Sequence, residues 1–113
     1  MLEDNLDWEE FKRVDMRVGT IIKAENFEAV KKPALKLWVD VGGEIGILKT
    51  SAQITEKYNA KSILDKQVVV VVNFPSKQIA NMMSECLLLG ALEADGIVII
   101  QPEQKVKNGT RIM

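Results

Sequence analysis

Residues 35–41 show the clearest alternation of apolar and polar positions in the chain. One face of this segment carries its apolar side chains, namely Leu35, Leu37, Val39 and Val41. A period of two is what a half-buried β-strand requires, so we expect a strand here. The β-branched segment before it, residues 17–27, predicts another strand, and Gly19 within it predicts a bend or bulge. Gly42-Gly43 predicts a tight hairpin into a third strand over residues 44–50.

Three further apolar runs follow in the second half of the chain. They cover residues 68–72, 86–89 and 97–100, and turn-forming residues separate them. Short runs of β-branched and aliphatic residues between turn signals are typical of buried strands. We therefore expect a strand at each run and a loop between the first two.

Two short helices complete the pattern. Asp7 followed by Glu10 has the spacing of a capping box, which predicts a helix over residues 7–12. Ser51 is expected to cap a second helical turn that extends to about Tyr58, because the segment contains good helix formers and no breaker.

This order of elements predicts an all-β chain with an OB-fold, a five-stranded barrel with short flanking helices. A length of 113 residues leaves room for one domain with one core. We expect a single OB domain over residues 1–113, in which residues 1–15 form an N-terminal arm and the first short helix.

The first helix carries an apolar stripe formed by Trp8, Phe11 and Val14. A helix this short is unstable by itself, so the stripe must be covered by another part of the structure. The barrel of the same chain and a second subunit are both open as the covering surface.

Composition removes several classes of function. The chain has no histidine and one cysteine, Cys86, and it contains no P-loop, nucleophile elbow or CxxC motif. We therefore expect neither an enzyme nor a bound cofactor or metal. The net charge of −1 also argues against a dedicated strong nucleic-acid binder, which would show a basic excess.

Targeting signals are missing from the sequence as well. The N-terminus is acidic without an apolar core, and no apolar run approaches the roughly 18 residues of a membrane span. We expect a cytoplasmic protein.

The segment from Asn73 to Leu89 is the main candidate for a functional site. Its apolar side chains, which would provide contact area, are Phe74, Ile79, Met82 and Met83, and its polar side chains, which would anchor a ligand, are Lys77, Asn81 and Ser84. Methionine-rich surfaces adapt to varied apolar partners. A loop folded onto its own barrel, a peptide groove and a dimer contact all fit this composition.

Trp38 is a second candidate, since the alternation of residues 35–41 directs it away from the apolar face. An indole left in water forfeits a couple of kcal/mol of burial, so we expect it to contact something. A neighbouring part of the same chain and an interface or ligand surface are the two alternatives.

Three segments of the sequence closely resemble the CsaA family of export-related chaperones. They are residues 11–21, 51–55 and 71–75, and the similarity runs from about residue 8 to the end of the sequence. The CsaA proteins are stand-alone members of the tRNA-binding OB domains that are appended to some aminoacyl-tRNA synthetases. Asp15–Gly19 marks this wider family, whereas Ser51–Thr55 together with residues 73–75 points to the CsaA branch.

The resemblance implies an OB-fold homodimer, with the chain ends and the 73–89 region at the two-fold interface. It also implies binding of unfolded or presecretory polypeptides and interaction with a component of the preprotein translocase. In the tRNA-binding relatives the corresponding loop is basic and is followed by Ser-x-x-Met. Ser84 matches the serine, but Leu87 replaces the methionine and Lys77 is the only basic residue of the loop.

Because affinity for RNA rises with the number of phosphates neutralised, this departure favours polypeptide over RNA. The favoured hypothesis is an ATP-independent dimeric chaperone that holds peptides in an apolar groove. The alternative is a tRNA-binding protein that uses Lys49, Lys77 and Ser84. A third hypothesis is a structural dimer whose loop serves assembly.

Overall fold

The structure is a computed structural model that describes residues 4–113, and its regular secondary structure consists of β-strands and one short helix. Its elements in chain order are α1 (Trp8–Lys12), β1 (Met16–Asn26), β2 (Leu35–Asp40), β3 (Ile47–Ala52), β4 (Gln67–Val71), β5 (Lys77–Ile79), β6 (Met82–Ser84), β7 (Leu87–Leu88), β8 (Gly90–Glu93), β9 (Gly96–Ile99) and β10 (Arg111–Ile112).

Strand β1 is the centre of the main sheet because it uses both of its edges. Its first half, Met16–Thr20, pairs with β4, and its second half, Thr20–Asn26, pairs with β2. The C-terminal strand β10 also pairs with β1, at Met16 and Arg17. All of these pairings are antiparallel, and they give the strand order β3-β2-β1-β4-β7.

The predicted irregularity in β1 lies at a different residue from the one expected. The register shift between β1 and β2 falls at Ile22, whereas Gly19 pairs regularly with Val68. Gly19 is required for another reason. A Cβ atom at this position would lie 2.6 Å from Cγ1 of Val39 and 3.0 Å from the carbonyl oxygen of Asp40. The glycine therefore lets β2 cross close to β1.

The barrel closes where β3 meets the residues between β6 and β7. The backbone N–H of Glu85 donates to the carbonyl of Lys49 at 2.7 Å, and the Lys49 N–H donates to the Glu85 carboxylate at 2.8 Å. One of these two bonds comes from a side chain because β3 and β7 do not form a regular ladder. The five-stranded OB-type barrel predicted from the sequence is thus observed in nearly closed form.

The barrel interior is filled by aliphatic side chains from the strands and from the segment between β3 and β4. Its fully buried members include Ile21, Leu35, Leu37, Val39, Val41, Ile54, Ile63, Val68 and Val70. The alternation predicted for residues 35–41 is confirmed, since Lys36, Trp38 and Asp40 are only half-buried. A second, smaller cluster forms outside the barrel around Phe27, Ala34 and Met82.

The first helix is confirmed together with its cap. The Asp7 carboxylate accepts from the backbone N–H of Glu9, and the Glu10 carboxylate accepts from the N–H of Asp7. The second predicted helix is wrong. Ser51 lies in β3, where it pairs with Lys36 of β2, so the strand continues to Ala52 and only a turn forms at residues 55–57.

Several boundaries differ from the predicted ones. The expected loop after β4 contains the β5–β6 hairpin, and strand β3 starts later than residue 44 because the turn extends to Gly46. The 86–89 run shortens to β7, and the 97–100 run is the second strand of the β8–β9 hairpin. Neither β8 nor β10 was predicted, since both are short and lack a clear alternation.

Within residues 4–113 no helix is long and apolar enough to span a membrane.

Replacing Gly19 with Ala should lower the free energy of unfolding by about 1–3 kcal/mol, the usual cost of overpacking a core. The reason is the 2.6 Å approach of the new Cβ to Val39. Urea unfolding measures this loss. The penalty should be smaller in a Val39→Ala background, because the crowding methyl group is then absent. An identical penalty in both backgrounds would contradict this explanation.

Candidate functional site

The β5–β6 hairpin packs beside β3 and contributes Lys77, Ile79 and Ser84 to a groove of about 610 Å³. The residues that line it are Thr50, Ser51, Phe74, Pro75, Ser76, Lys77, Ile79, Ser84, Cys86 and Leu87. We call this space the apolar groove.

Two exposed apolar side chains line the apolar groove. Phe74 is 57% exposed and Leu87 is 48% exposed, so neither is covered by the rest of the chain. Phe74 lies three residues after the end of β4, and Pro75 after it removes a backbone donor from the lining. An apolar wall with few unpaired backbone groups suits an apolar ligand.

The floor of the apolar groove is a small polar network that needs no outside partner. The Thr50 hydroxyl donates to the carbonyl of Cys86 at 2.8 Å and lies 3.2 Å from the Ser84 hydroxyl. The backbone N–H of Ser51 also reaches the Ser84 hydroxyl, at 3.4 Å. Among residues 4–113, every buried side-chain nitrogen or oxygen has a hydrogen-bond partner. Ser84 therefore has a structural role in joining β6 to β3.

Cys86 lies beneath the groove as a buried thiol. Burial raises the pKa of this thiol to about 12, the charge of Glu85 adds to the rise, and a hydrogen bond with Thr50 opposes it. The thiol is therefore protonated at neutral pH and is a poor nucleophile.

The base of the hairpin is tied to the N-terminal segment by Asn73. Its side-chain oxygen accepts from the backbone N–H of Asp15 at 3.0 Å, and its amide group donates to the carbonyl of Arg13. The Asp15 carboxylate lies 2.6 Å from Arg17 and 3.7 Å from Arg111. The hydrogen bond from Arg17 lowers the pKa of the Asp15 carboxyl, burial opposes this, and the charges of Arg17 and Arg111 add to it.

The predicted site residues fall into two groups. Phe74, Lys77, Ile79 and Ser84 line the apolar groove. The other three do not, since Asn81 is at the exposed turn of the hairpin, Met83 points away, and Met82 is 5% exposed inside the cluster with Phe27. Met82 therefore supports the hairpin from below.

Leu87, Thr50 and Ser51 are groove residues that the sequence did not single out. Leu87 belongs to a continuous apolar run. Because apolar and polar residues do not alternate there, the sequence does not indicate which side chain of the run is exposed. Thr50 and Ser51 come from β3, and only the closure of the barrel brings them to the hairpin.

The second predicted set, Lys49, Lys77 and Ser84, is only partly brought together, because the backbone of Lys49 bonds to Glu85, the neighbour of Ser84. Lys77 lies opposite Ser84 in the hairpin, but Lys49 lies in β3 opposite Trp38. Trp38 itself contacts its own chain, because the Lys23 ammonium lies 4.5 Å from the centroid of the indole ring.

Comparison with known proteins places this architecture in a family. Residues 16–111 match the family described as "Putative tRNA binding domain". The chain belongs to this family. It is 32% identical over 111 residues to the methionine–tRNA ligase of Methanococcoides burtonii, a match that covers 97% of this chain and 16% of the ligase. The chain thus spans about a sixth of the length of the curated relatives that it matches.

Solved structures extend the comparison to whole chains. The chaperone CsaA of Bacillus anthracis is 42% identical, with a TM-score of 0.90 and coverage of 96% of this chain and 99% of that chain. CsaA of Picrophilus torridus is 39% identical, with a TM-score of 0.91 and coverage of 96% and 100%. A MetRS-related protein of Pyrococcus horikoshii is 28% identical, with a TM-score of 0.86 and coverage of 98% and 100%. The predicted resemblance to CsaA proteins and to the wider tRNA-binding domains is confirmed.

The buried position of Cys86 gives a direct test of the groove floor. At pH 7 to 8 the native protein should react with a maleimide on the order of a thousandfold more slowly than the urea-unfolded chain, because a pKa of about 12 leaves little thiolate. The rate is followed by mass spectrometry. The control is a Cys86→Ala/Met83→Cys variant, whose thiol lies on the exposed side of the same hairpin and should react rapidly. Comparable rates for the two native proteins would contradict the buried floor.

Proposed function

We propose that this protein is an ATP-independent cytoplasmic chaperone that holds unfolded or presecretory polypeptides in the apolar groove. The observation that supports this best is the pair of uncovered apolar side chains, Phe74 and Leu87, that line one groove. The likeness to two solved CsaA chaperones over nearly their whole length agrees with it.

The groove suits an extended peptide for physical reasons. The apolar lining of the groove can bury apolar side chains of many different peptides. Lys77, which also lines the groove, can pair with a carboxylate or a carbonyl of the ligand. No P-loop occurs in the sequence, so the proposed cycle of binding and release uses no nucleotide. A component of the preprotein translocase is the partner that we propose for delivery of the bound polypeptide.

Replacing Phe74 with Ala should weaken peptide capture about tenfold, because the largest uncovered apolar contact of the groove is removed. Fluorescence anisotropy with a labelled apolar peptide measures the affinity, and light scattering follows suppression of aggregation of a denatured client protein. Tm should change little, since the ring is mostly exposed.

The matched control is Met83→Ser, on the same hairpin but outside the groove. It should bind peptide as the unchanged protein does. If a folded Phe74→Ala protein still captures peptide and suppresses aggregation normally, the groove assignment is wrong.

The family match favours tRNA binding as a second candidate function. It would use Lys49, Lys77 and Ser84, of which Lys49 lies on β3 and the other two on the β5–β6 hairpin. Salt separates the two functions in the same assay. The affinity gained from burying apolar groups changes little between low and moderate salt, whereas the affinity for phosphates falls steeply as salt rises. Steeply salt-dependent binding that needs Lys77 but not Phe74 would favour tRNA.

We further propose that the protein is a homodimer with α1 in its interface. This helix has no buried residue, and Trp8 is 58% exposed, so the barrel does not cover the apolar stripe. Leu92 at the tip of β8 is 84% exposed and offers a second uncovered apolar contact. Exposed apolar groups of this kind are commonly buried by association.

At micromolar concentration, light scattering should therefore give about twice the chain mass of 12.6 kDa. Trp8→Ser with Leu92→Ser should shift the protein toward monomer, because both apolar contacts are lost. Ile47→Ser, which removes an exposed apolar side chain from the barrel wall, is the control and should leave the dimer intact. A monomer in the unchanged protein would refute the proposal.

A further inference from the structure

Residues 74–76 lie along the apolar groove without support from the backbone of the rest of the chain. All three of them line the groove. They lie between the end of β4 and the start of β5, and from residue 4 to residue 113 no backbone–backbone hydrogen bond involves them. The position of this segment in the groove therefore depends on what holds its two ends.

The segment has little conformational freedom of its own. Pro75 has a fixed φ angle, and a residue that precedes a proline is restricted to extended conformations. Phe74 is that preceding residue. Because the two residues form a stiff unit, a change of direction at residue 73 moves the Phe74 ring with it. This ring is the largest uncovered apolar side chain of the groove.

Asn73 holds the N-terminal end of this stiff unit through its side chain. Its amide oxygen accepts a hydrogen bond from the backbone N–H of Asp15 at 3.0 Å, and its amide nitrogen donates to the carbonyl of Arg13. The preceding residue adds a third bond, from the N–H of Val72 to the carbonyl of Asp15 at 2.9 Å. Two consecutive residues are thus fixed to the same short stretch of chain, immediately before Phe74.

The stretch to which these bonds run, residues 12–15, is itself anchored. The Asp15 carboxylate forms an ion pair with Arg17 of β1 at 2.6 Å. The guanidinium group of Arg111 in β10 donates to the carbonyl of Lys12 at 2.8 Å. Because this stretch is bound to two strands of the main sheet, it provides a fixed point for the base of the hairpin.

We propose that Asn73 is the positioning residue of the apolar groove. It does not line the groove, and its amide bonds hold Phe74 in place before a ligand arrives. A side chain that is already ordered loses less conformational entropy on binding, so the affinity for the ligand rises. This role rests on the proposed capture of polypeptides by the groove.

Replacing Asn73 with Ala should weaken capture of a labelled apolar peptide about fivefold, because Phe74 must then be ordered on binding. Fluorescence anisotropy measures the affinity. Asn59→Ala is the matched control, since Asn59 is also exposed and its side-chain oxygen accepts hydrogen bonds from two backbone N–H groups, at 3.0 and 2.9 Å. Asn59 lies outside the groove, so its replacement should leave the affinity unchanged.

A double-mutant cycle separates the positioning of Phe74 from a general loss of stability. If Asn73 acts through the ring, Asn73→Ala should lower the affinity by less than about twofold in a Phe74→Ala background. A general effect on the fold would lower the affinity by the same factor in both backgrounds. Asn73→Asp is the second variant. It keeps the size and the acceptor of the side chain but lacks the donor to Arg13, so it should also weaken capture.

Fluorine NMR observes the Phe74 ring directly and needs no ligand. The chain has three phenylalanines, Phe11, Phe27 and Phe74, so protein labelled with 4-fluorophenylalanine gives one resonance for each, assigned by single replacements with Leu. In Asn73→Ala the Phe74 resonance should narrow and move toward its position in the urea-unfolded chain. The resonance of the buried Phe27 should stay in place and report an intact fold.

Three results would overturn the role of Asn73. They are an unchanged affinity for peptide in a folded Asn73→Ala protein, an equal loss of affinity with and without the Phe74 ring, and a Phe74 resonance that does not move. Failure of the unchanged protein to capture any peptide is a different outcome, since it would refute the proposed function itself and this role with it.

Discussion

The closure of the barrel through side chains, without a continuous backbone ladder, is the constraint on which the rest of the structure depends. Strand β3 meets the other end of the sheet at Lys49 and Glu85, where one of the two hydrogen bonds comes from a carboxylate. The hydroxyl of Thr50 extends this contact to the carbonyl of Cys86. Thr50 and Ser51 lie next to this closure, and together with Ser84 of β6 and Leu87 of β7 they line the apolar groove.

This arrangement places two different kinds of surface on the two sides of β3. On one side, Phe74 and Leu87 offer apolar contact, whose contribution to binding depends weakly on salt. On the other side, Lys49 lies opposite Trp38, and the contribution of a lysine to binding of phosphates falls as salt rises. The two candidate functions, peptide binding and tRNA binding, therefore rest on different physical interactions, and the chain is similar both to proteins described as chaperones and to tRNA ligases.

The predictions from the sequence were correct where the interactions are local in sequence and wrong where residues distant in sequence decide the structure. The outward direction of Trp38 followed from alternation alone, because the two faces of a strand are determined by neighbouring residues. The capping box of α1 was equally local. By contrast, Met82 was expected in the groove and lies in a cluster with Phe27, which is distant in sequence. Ser51 was expected to cap a helix and lies in β3, because it pairs with Lys36, which is distant in sequence.

The sequence by itself determined the all-β barrel, its central strands, the first helix and the family, since these depend on local periodicity, capping and motifs. Only the tertiary structure decided which side chains of the 73–89 segment are available to a ligand. Phe74 and Met82 are both apolar residues of one segment, yet one is uncovered and the other is buried. The reason is that burial depends on contacts with residues far away in the chain, and no pattern within the segment records them.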